Sequence, residues 1–234
     1  AQELFAGSYS IEVIIMCKKL LLPLIVLFVA TTGFAKDDFP AVSHDGLHLM
    51  PDTKLRAVYM KPGADLSQYD KIALLDTYVA FRKNWQRDHN QEESFDMRVS
   101  DKDMKEIRER VAKEFAKEMT KVLSTEGGHQ MVTGGGDGVL ILRPAIVNLD
   151  INAPDIMSPG MNRTYVATAG TMTLYLELYD GKTGDIIARI IDPEAADNAG
   201  IAQVANRVTN TADFDRVVRR WAEILNKHMA QLKG

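Results

Sequence analysis

Cysteine is almost missing from this chain of 234 residues: Cys17 stands alone, ahead of the longest apolar run. Nothing downstream of it can form a disulfide, a thiolate nucleophile or an iron–sulfur cluster, so ordinary packing must hold the body together. Aromatic residues are sparse at 7%, and Trp85 and Trp221 are the only tryptophans. The longest apolar run, 20–30, has about eleven residues, short of the roughly 20 that a spanning helix needs. Neither sign of charge dominates, with 28 Lys and Arg against 32 Asp and Glu and a net charge of −4. That mild acidity argues against a nucleic-acid binder, which would carry a concentrated basic stripe. Also missing are a G-x-S-x-G elbow and a Gly-Lys-Ser/Thr triplet, the marks of common hydrolases and phosphate-binding loops. What is left, 46% apolar and 26% charged, fits one globular domain.

The first feature that is present is an address. Met16-Cys17-Lys18-Lys19 opens with two positive charges, 20–30 forms an apolar core, and Thr31-Thr32-Gly33-Phe34-Ala35 offers small residues for cleavage. These are the three parts of a secretory signal peptide, so export to the periplasm is expected, with cleavage after about Ala35. Retention of 16–35 as an anchor is the alternative. Residues 1–15 precede Met16 and read as upstream sequence outside the fold. A lipoprotein carries its cysteine directly after the apolar core, where Lys36 stands here, so no lipid anchor is expected. Losing 1–35 removes Glu3, Glu12, Lys18 and Lys19, which leaves the net charge unchanged.

The body reads as an extended lead-in over 36–54 and a single domain over 55–234. Residues 55–60 form a short strand closed by the turn Lys61-Pro62-Gly63. The run Ile72-Ala73-Leu74-Leu75 marks a buried strand over 71–79, and 80–98 reads as a long polar loop. Met104, Ile107, Val111, Phe115, Met119 and Val122 recur at steps of three and four, the stripe of an amphipathic helix. Ser100 or Asp101 caps its start and Gly127-Gly128 its end. Further strands are expected at 129–133, at 139–152 with Val139, Ile141, Ala145, Val147, Leu149 and Ile151 on one face, and at 163–180. In the last of these Val166, Met172, Leu174, Leu176 and Leu178 share a face. The turn Asp180-Gly181-Lys182-Thr183-Gly184-Asp185 leads into a return strand over 186–191. Pro144 cannot donate to a ladder, so its strand is an edge there or carries a bulge. Residues 152–162 read as a second long loop, and 192–210 has no clear period. A closing helix capped by Thr211 has Phe214, Val217, Trp221, Ile224, Leu225, His228 and Leu232 along one stripe. The expected fold is α+β: a mainly antiparallel sheet of about five strands with two amphipathic helices packed on one face.

Several clusters have the residue types of chemistry without its setting. His44 and His48 have a metal-ligand spacing, but Gly46 and Pro51 oppose the helix that would align them and no third ligand is fixed. Gly134-Gly135-Gly136-Asp137-Gly138 precedes a strand, whereas a phosphate cradle needs a helix N-terminus. Asp88 and His89, with Asp96 near, lie in a polar stretch rather than a desolvated cleft. Ser158, Asn162 and the pair Asn206 and Asn210 read as loop or helix entry. No catalytic, cofactor-binding or metal-binding residue is nominated. The aromatic and arginine mixture of Phe81, Arg82, Lys83, Trp85, Arg87 and Asp88 instead has the makeup of an interaction hot spot.

The run 59–71 (Tyr59-Met60-Lys61-Pro62-Gly63-Ala64 onward), Val79-Ala80-Phe81-Arg82-Lys83-Asn84-Trp85-Gln86-Arg87-Asp88, Leu142-Arg143-Pro144-Ala145-Ile146, Arg163-Thr164-Tyr165-Val166-Ala167, Leu174-Tyr175-Leu176-Glu177-Leu178-Tyr179-Asp180, Arg207-Val208-Thr209-Asn210 and Arg220-Trp221-Ala222 resemble bacterial envelope proteins grouped as domain of unknown function 3313. The resemblance implies a secreted Gram-negative origin and a single domain, and it brings no reaction with it. Many such proteins look like lipoproteins, and this chain lacks the cysteine at the matching place. The expected function is therefore a non-enzymatic periplasmic accessory that contacts an envelope protein or cell-wall component through 80–98 and 152–162. The alternative is an unrecognised hydrolase or small-ligand binder with a pocket between sheet and helices, lined by Asp88, His89 or Asp76. Neither a nucleic acid nor a membrane span after cleavage is expected.

Overall fold

The computed structural model describes residues 39–151, 170–195 and 207–231. The segment 16–35 expected as a signal peptide, the expected loop 152–162, the opening of the strand expected from 163, and Asn206 lie outside the described residues. Within them the order is β1 (His48–Leu49), β2 (Ala57–Met60), β3 (Lys71–Leu74), β4 (Tyr78–Phe81), α1 (Trp85–Glu92), α2 (Asp101–Lys121), β5 (Gln130–Val132), β6 (Val139–Asp150), β7 (Thr171–Asp180), β8 (Ile186–Ala195) and α3 (Arg207–Gln231).

The strands form one mixed sheet of eight in the order β1-β2-β8-β7-β6-β3-β5, with β4 also paired to β6. The expectation of about five mainly antiparallel strands is corrected. The successive pairs β1–β2, β2–β8, β8–β7 and β7–β6 are antiparallel, whereas β3 and β4 lie parallel to β6, and β5 parallel to β3. The extra strands have local causes. The lead-in contributes β1, which pairs His48 with Met60 and Leu49 with Tyr59.

The strand expected over 71–79 is in fact two, and Pro144 explains the break. β3 pairs with β6 as far as Leu74 opposite Leu142, and β4 resumes with Tyr78 opposite Ala145. Between them the Leu75 N–H still reaches the Leu142 carbonyl at 2.9 Å, but Arg143 and Pro144 face no ladder partner on that side. A proline offers no N–H there, so the neighbouring strand leaves the sheet and returns one step later. On its other side β6 pairs without interruption through Pro144 opposite Leu176. Pro193 follows the same rule: β2 covers β8 only over Ala188 to Ile191, so this proline sits where β8 is locally an edge.

The main core lies on one face of the sheet. Leu140, Leu142 and Ile146 of β6, Leu174, Leu176 and Leu178 of β7 and Ile190 of β8 meet Phe115 and Met119 of α2 and Val218, Trp221, Leu225 and Met229 of α3. Each such side chain contributes about 1.5–3 kcal/mol on leaving water. Of the residues expected on one face of β6, Ile141, Ala145 and Val147 do share a face, but it is the one away from the helices, to which Leu140, Leu142 and Ile146 point. Leu149 joins the core set because Asn148, at φ 53°, carries a register shift that changes the parity after Val147. The α2 stripe is as expected, opened by a capping box in which Ser100 accepts from the Asp103 N–H and Asp103 accepts from Ser100. α3 starts at Arg207, so Thr211 lies inside it rather than capping it.

Candidate functional site

The segment expected as the loop 80–98 contains the eight-residue helix α1. Asn84, at φ 64°, turns the chain into it, a conformation that asparagine tolerates better than most residues. α1 has one buried residue, Trp85, which is 2% exposed. The indole stacks between Phe81, at 4.6 Å between centroids, and His89, at 5.1 Å. Its Nε1 donates to Asp150 Oδ1 at 3.0 Å, and Arg82 Nε donates to Asp150 Oδ2 at 2.5 Å. Arg82 Nη1 then reaches Asp88 Oδ2 at 2.8 Å, and Arg87 Nη2 reaches Asp88 Oδ1 at 2.8 Å. Beneath them Trp85, Val99 and Met104 form a small separate core.

Of the six residues expected to form an interaction surface, Trp85 is thus turned inward, and Phe81, Arg82 and Asp88 are half-buried around it. Lys83 and Arg87 are exposed. The two arginines beside Asp88 hold its carboxyl below the usual range, Arg82 first. A carboxylate so stabilised is a weak proton acceptor near neutral pH. Asp96 has no described side chain.

On the sheet face away from the helices a row of side chains crosses three strands in register: Arg143 of β6, Glu177 of β7 and Arg189 of β8. Arg189 grips Asp45 with both terminal nitrogens, at 3.0 and 2.5 Å, and donates from Nε and Nη2 to Glu177 Oε1 at 3.2 and 3.0 Å. Tyr179 donates to Glu177 Oε2 at 2.7 Å and Tyr175 to Oε1 at 3.2 Å. Burial works to raise the Glu177 carboxyl, but the hydrogen bonds from Tyr179 and Arg189 outweigh it and keep the group below its ordinary range. This cluster clips the lead-in to the sheet, assisted by buried Leu47 and by the Tyr59 hydroxyl donating to the Pro40 carbonyl at 2.9 Å. Its charges satisfy one another. His44 and His48 lie on the same lead-in, both exposed.

A third feature was not legible in the sequence. Where β3 leaves the sheet, a groove of about 410 Å³ opens between residues 74–77, α2 and the end of β5. Leu74, Ala112, Ala116, Met131 and Val132 form its apolar part, and Asp76, Glu109 and Lys113 stand among its polar lining. β5 covers the outer edge of β3 over Lys71 to Ala73 and stops at Val132. β4 pairs with β6 alone, so among the described residues its outer edge has no strand beside it. Leu75, in the break, and Tyr78, at the start of β4, are 43% and 65% exposed. The break also leaves the Thr77 hydroxyl buried without a hydrogen-bond partner among the described residues, at a cost of about 1–3 kcal/mol. Asp76 lines the groove; Asp88 and His89 do not.

The model of a family described as "Protein of unknown function (DUF3313)" matches residues 32–225. The chain belongs to that family. Members of this family are grouped without an assigned activity, so membership adds no residue role to the geometry above. Among solved structures the chain is similar to PelC from Paraburkholderia phytofirmans. A dodecamer of a point variant of PelC is 11% identical at a TM-score of 0.31, covering 69% of this chain and 93% of that one. A second PelC dodecamer is 9% identical at a TM-score of 0.32, covering 69% and 96%. No curated protein matches the chain. Among the described residues no helix is long and apolar enough to cross a membrane.

Proposed function

We propose that this chain is a non-enzymatic accessory protein of the bacterial envelope, exported to the periplasm through residues 16–35 and acting by contact with another envelope component. One observation carries the contact reading: exposed Leu75 and Tyr78 stand beside the groove, where β4 has no second strand neighbour among the described residues, and the exposed cations Lys83 and Arg87 follow β4. Natural sheets usually blunt such an edge with lysine, proline or a covering element. The ionisable groups that follow β4 favour binding over catalysis, because Asp88 and Asp150 are taken up by Arg82. The groove's volume is compatible with a small ligand, and Asp76 in its lining keeps that second reading testable.

Two measurements bear on the proposal. Fractionation of a Gram-negative host should find the chain in the periplasm shortened by about 35 residues, and a variant lacking 16–35 should stay in the cytosol. A photo-crosslinking residue at position 78 should give a discrete adduct in intact cells, lost on Lys83→Glu/Arg87→Glu. An exported, folded chain that gives no adduct from either 78 or 83 would defeat the contact reading.

A further inference from the structure

We infer that the seam between α2 and α3 is a proton-sensitive joint. Asp215 takes up a proton as pH falls, its neutral carboxyl acts as a hydrogen-bond donor in place of a second enclosed charge, and the two helices hold together more firmly. The joint involves neither the groove nor the edge of β4.

Asp215 stands one turn before Val218 and two before Ala222, both buried in the main core, so it lies on the inward face of α3. Its Oδ1 is buried with no hydrogen-bond partner among the described residues. On α2, Glu118 lies between buried Phe115 and Val122 on the same stripe and is itself 5% exposed. Its ion-pair partner Lys121 stands at 3.6 Å, beyond a good hydrogen bond. Two carboxyl groups are thus enclosed where few donors reach them. A protonated carboxyl turns one acceptor into an O–H donor, which such a place favours. The cations nearby are already engaged. Lys117 holds Glu114 at 2.7 Å, and Arg219, one turn along α3 from Asp215, holds Glu126 and Glu223. Burial first and Glu118 second lift the Asp215 carboxyl above its ordinary value of 3.8; Glu114 adds to the lift, and Lys117 and Lys121 oppose it. The folded chain therefore binds this proton more readily than the unfolded one. Ionised Asp215 weakens the seam at neutral pH, and the burden is relieved as pH falls through the raised value toward 3.8.

The test joins a titration to a stability measurement on the full chain. Followed by NMR, the side-chain carboxyl carbon of Asp215 should titrate with a midpoint above 3.8, and Glu118→Gln should lower that midpoint. Asp215→Asn keeps the shape and a donor but cannot ionise. In denaturant unfolding it should be more stable than the wild-type chain at neutral pH and lose that advantage as pH falls toward 3.8. The ratio of the two unfolding constants should change about tenfold for each unit by which the NMR midpoint is raised, so the two measurements check each other. A midpoint at or below 3.8 in the folded wild-type chain overturns the joint. So does a stability difference between wild type and Asp215→Asn that stays constant with pH. A raised midpoint that Glu118→Gln leaves in place overturns it as well, because burial of Asp215 would then act without the facing helix.

Discussion

The two tryptophans are held by the same device with different consequences. Trp85 donates to Asp150, which also accepts from Arg82, and Arg82 holds a second carboxylate, Asp88. Trp221 donates to Asp192 at 2.8 Å, which also accepts from Arg220, and Arg220 holds a second carboxylate, Glu194. The settings differ. Asp192 is 4% exposed, takes a third hydrogen bond from the Arg56 N–H at 2.8 Å, and anchors a long helix that belongs to the main core. Asp150 follows the register shift of β6 and anchors a helix of two turns on a satellite core of three residues. The clamp at Asp192 therefore ties three elements together, and the clamp at Asp150 secures one that has little else to hold it. A short polar helix lacks the burial to form alone; α1 exists because its single indole is pinned.

The largest effect is expected from Asp192→Ala. It strands the Trp221 and Arg56 N–H groups and leaves Arg220, whose side chain is 44% exposed, with Glu194 only; with about 1–3 kcal/mol for each unsatisfied donor, the two together cost about 2–5 kcal/mol. Denaturant unfolding should show a loss of that size with the whole sheet unfolding as one unit. Asp150→Ala should cost less, about 1–3 kcal/mol, and locally. Amide exchange should quicken through Trp85–Glu92 while β6, β7 and β8 keep their protection. Equal and global losses at both sites would show that α1 is integral to the core rather than a satellite of it.

The same contrast explains what could be read from residues alone. α2 was legible because six apolar side chains repeat at helical spacing and its cap lies next to it in the chain. The β7–β8 hairpin was legible because Asp180 and Gly184 sit at turn positions beside alternating strands. α1 was not, because its stabilising partner is 65 residues away in sequence and it has no apolar stripe, so its composition is that of a loop. β6 was legible as a strand, but not which of its faces is buried. Both of its faces carry aliphatic residues over Val139 to Val147, so alternation alone could not say which faces the helices; the bulkier leucines and isoleucine won. Pro144 announced an irregularity, but whether β6 would bulge or its neighbour would break depended on β3, and the groove followed from the break.

The finest test uses pH, because the outer carboxylates of the two clamps shift in opposite directions. Burial lifts Glu194 above the ordinary glutamate value of 4.5, against Arg220 and with the help of Asp192. Its folded pKa exceeds its unfolded one, so ionised Glu194 is a burden at neutral pH, relieved as pH falls through the raised value. Asp88 is held below the ordinary aspartate value of 3.8 by Arg82 and then Arg87. Its contribution is fully present above 3.8 and is lost only as pH falls through the lowered value. Acidification should therefore act on the Trp221 clamp first, above pH 4.5, and on the Trp85 clamp only below 3.8. Two indole N–H resonances, one per tryptophan, make the order visible by NMR without unfolding the protein. Glu194→Gln should abolish the first step and leave the second, and Asp88→Asn the reverse. A single transition shared by both indoles would mean that the clamps titrate as one network, which their separate hydrogen-bond partners forbid.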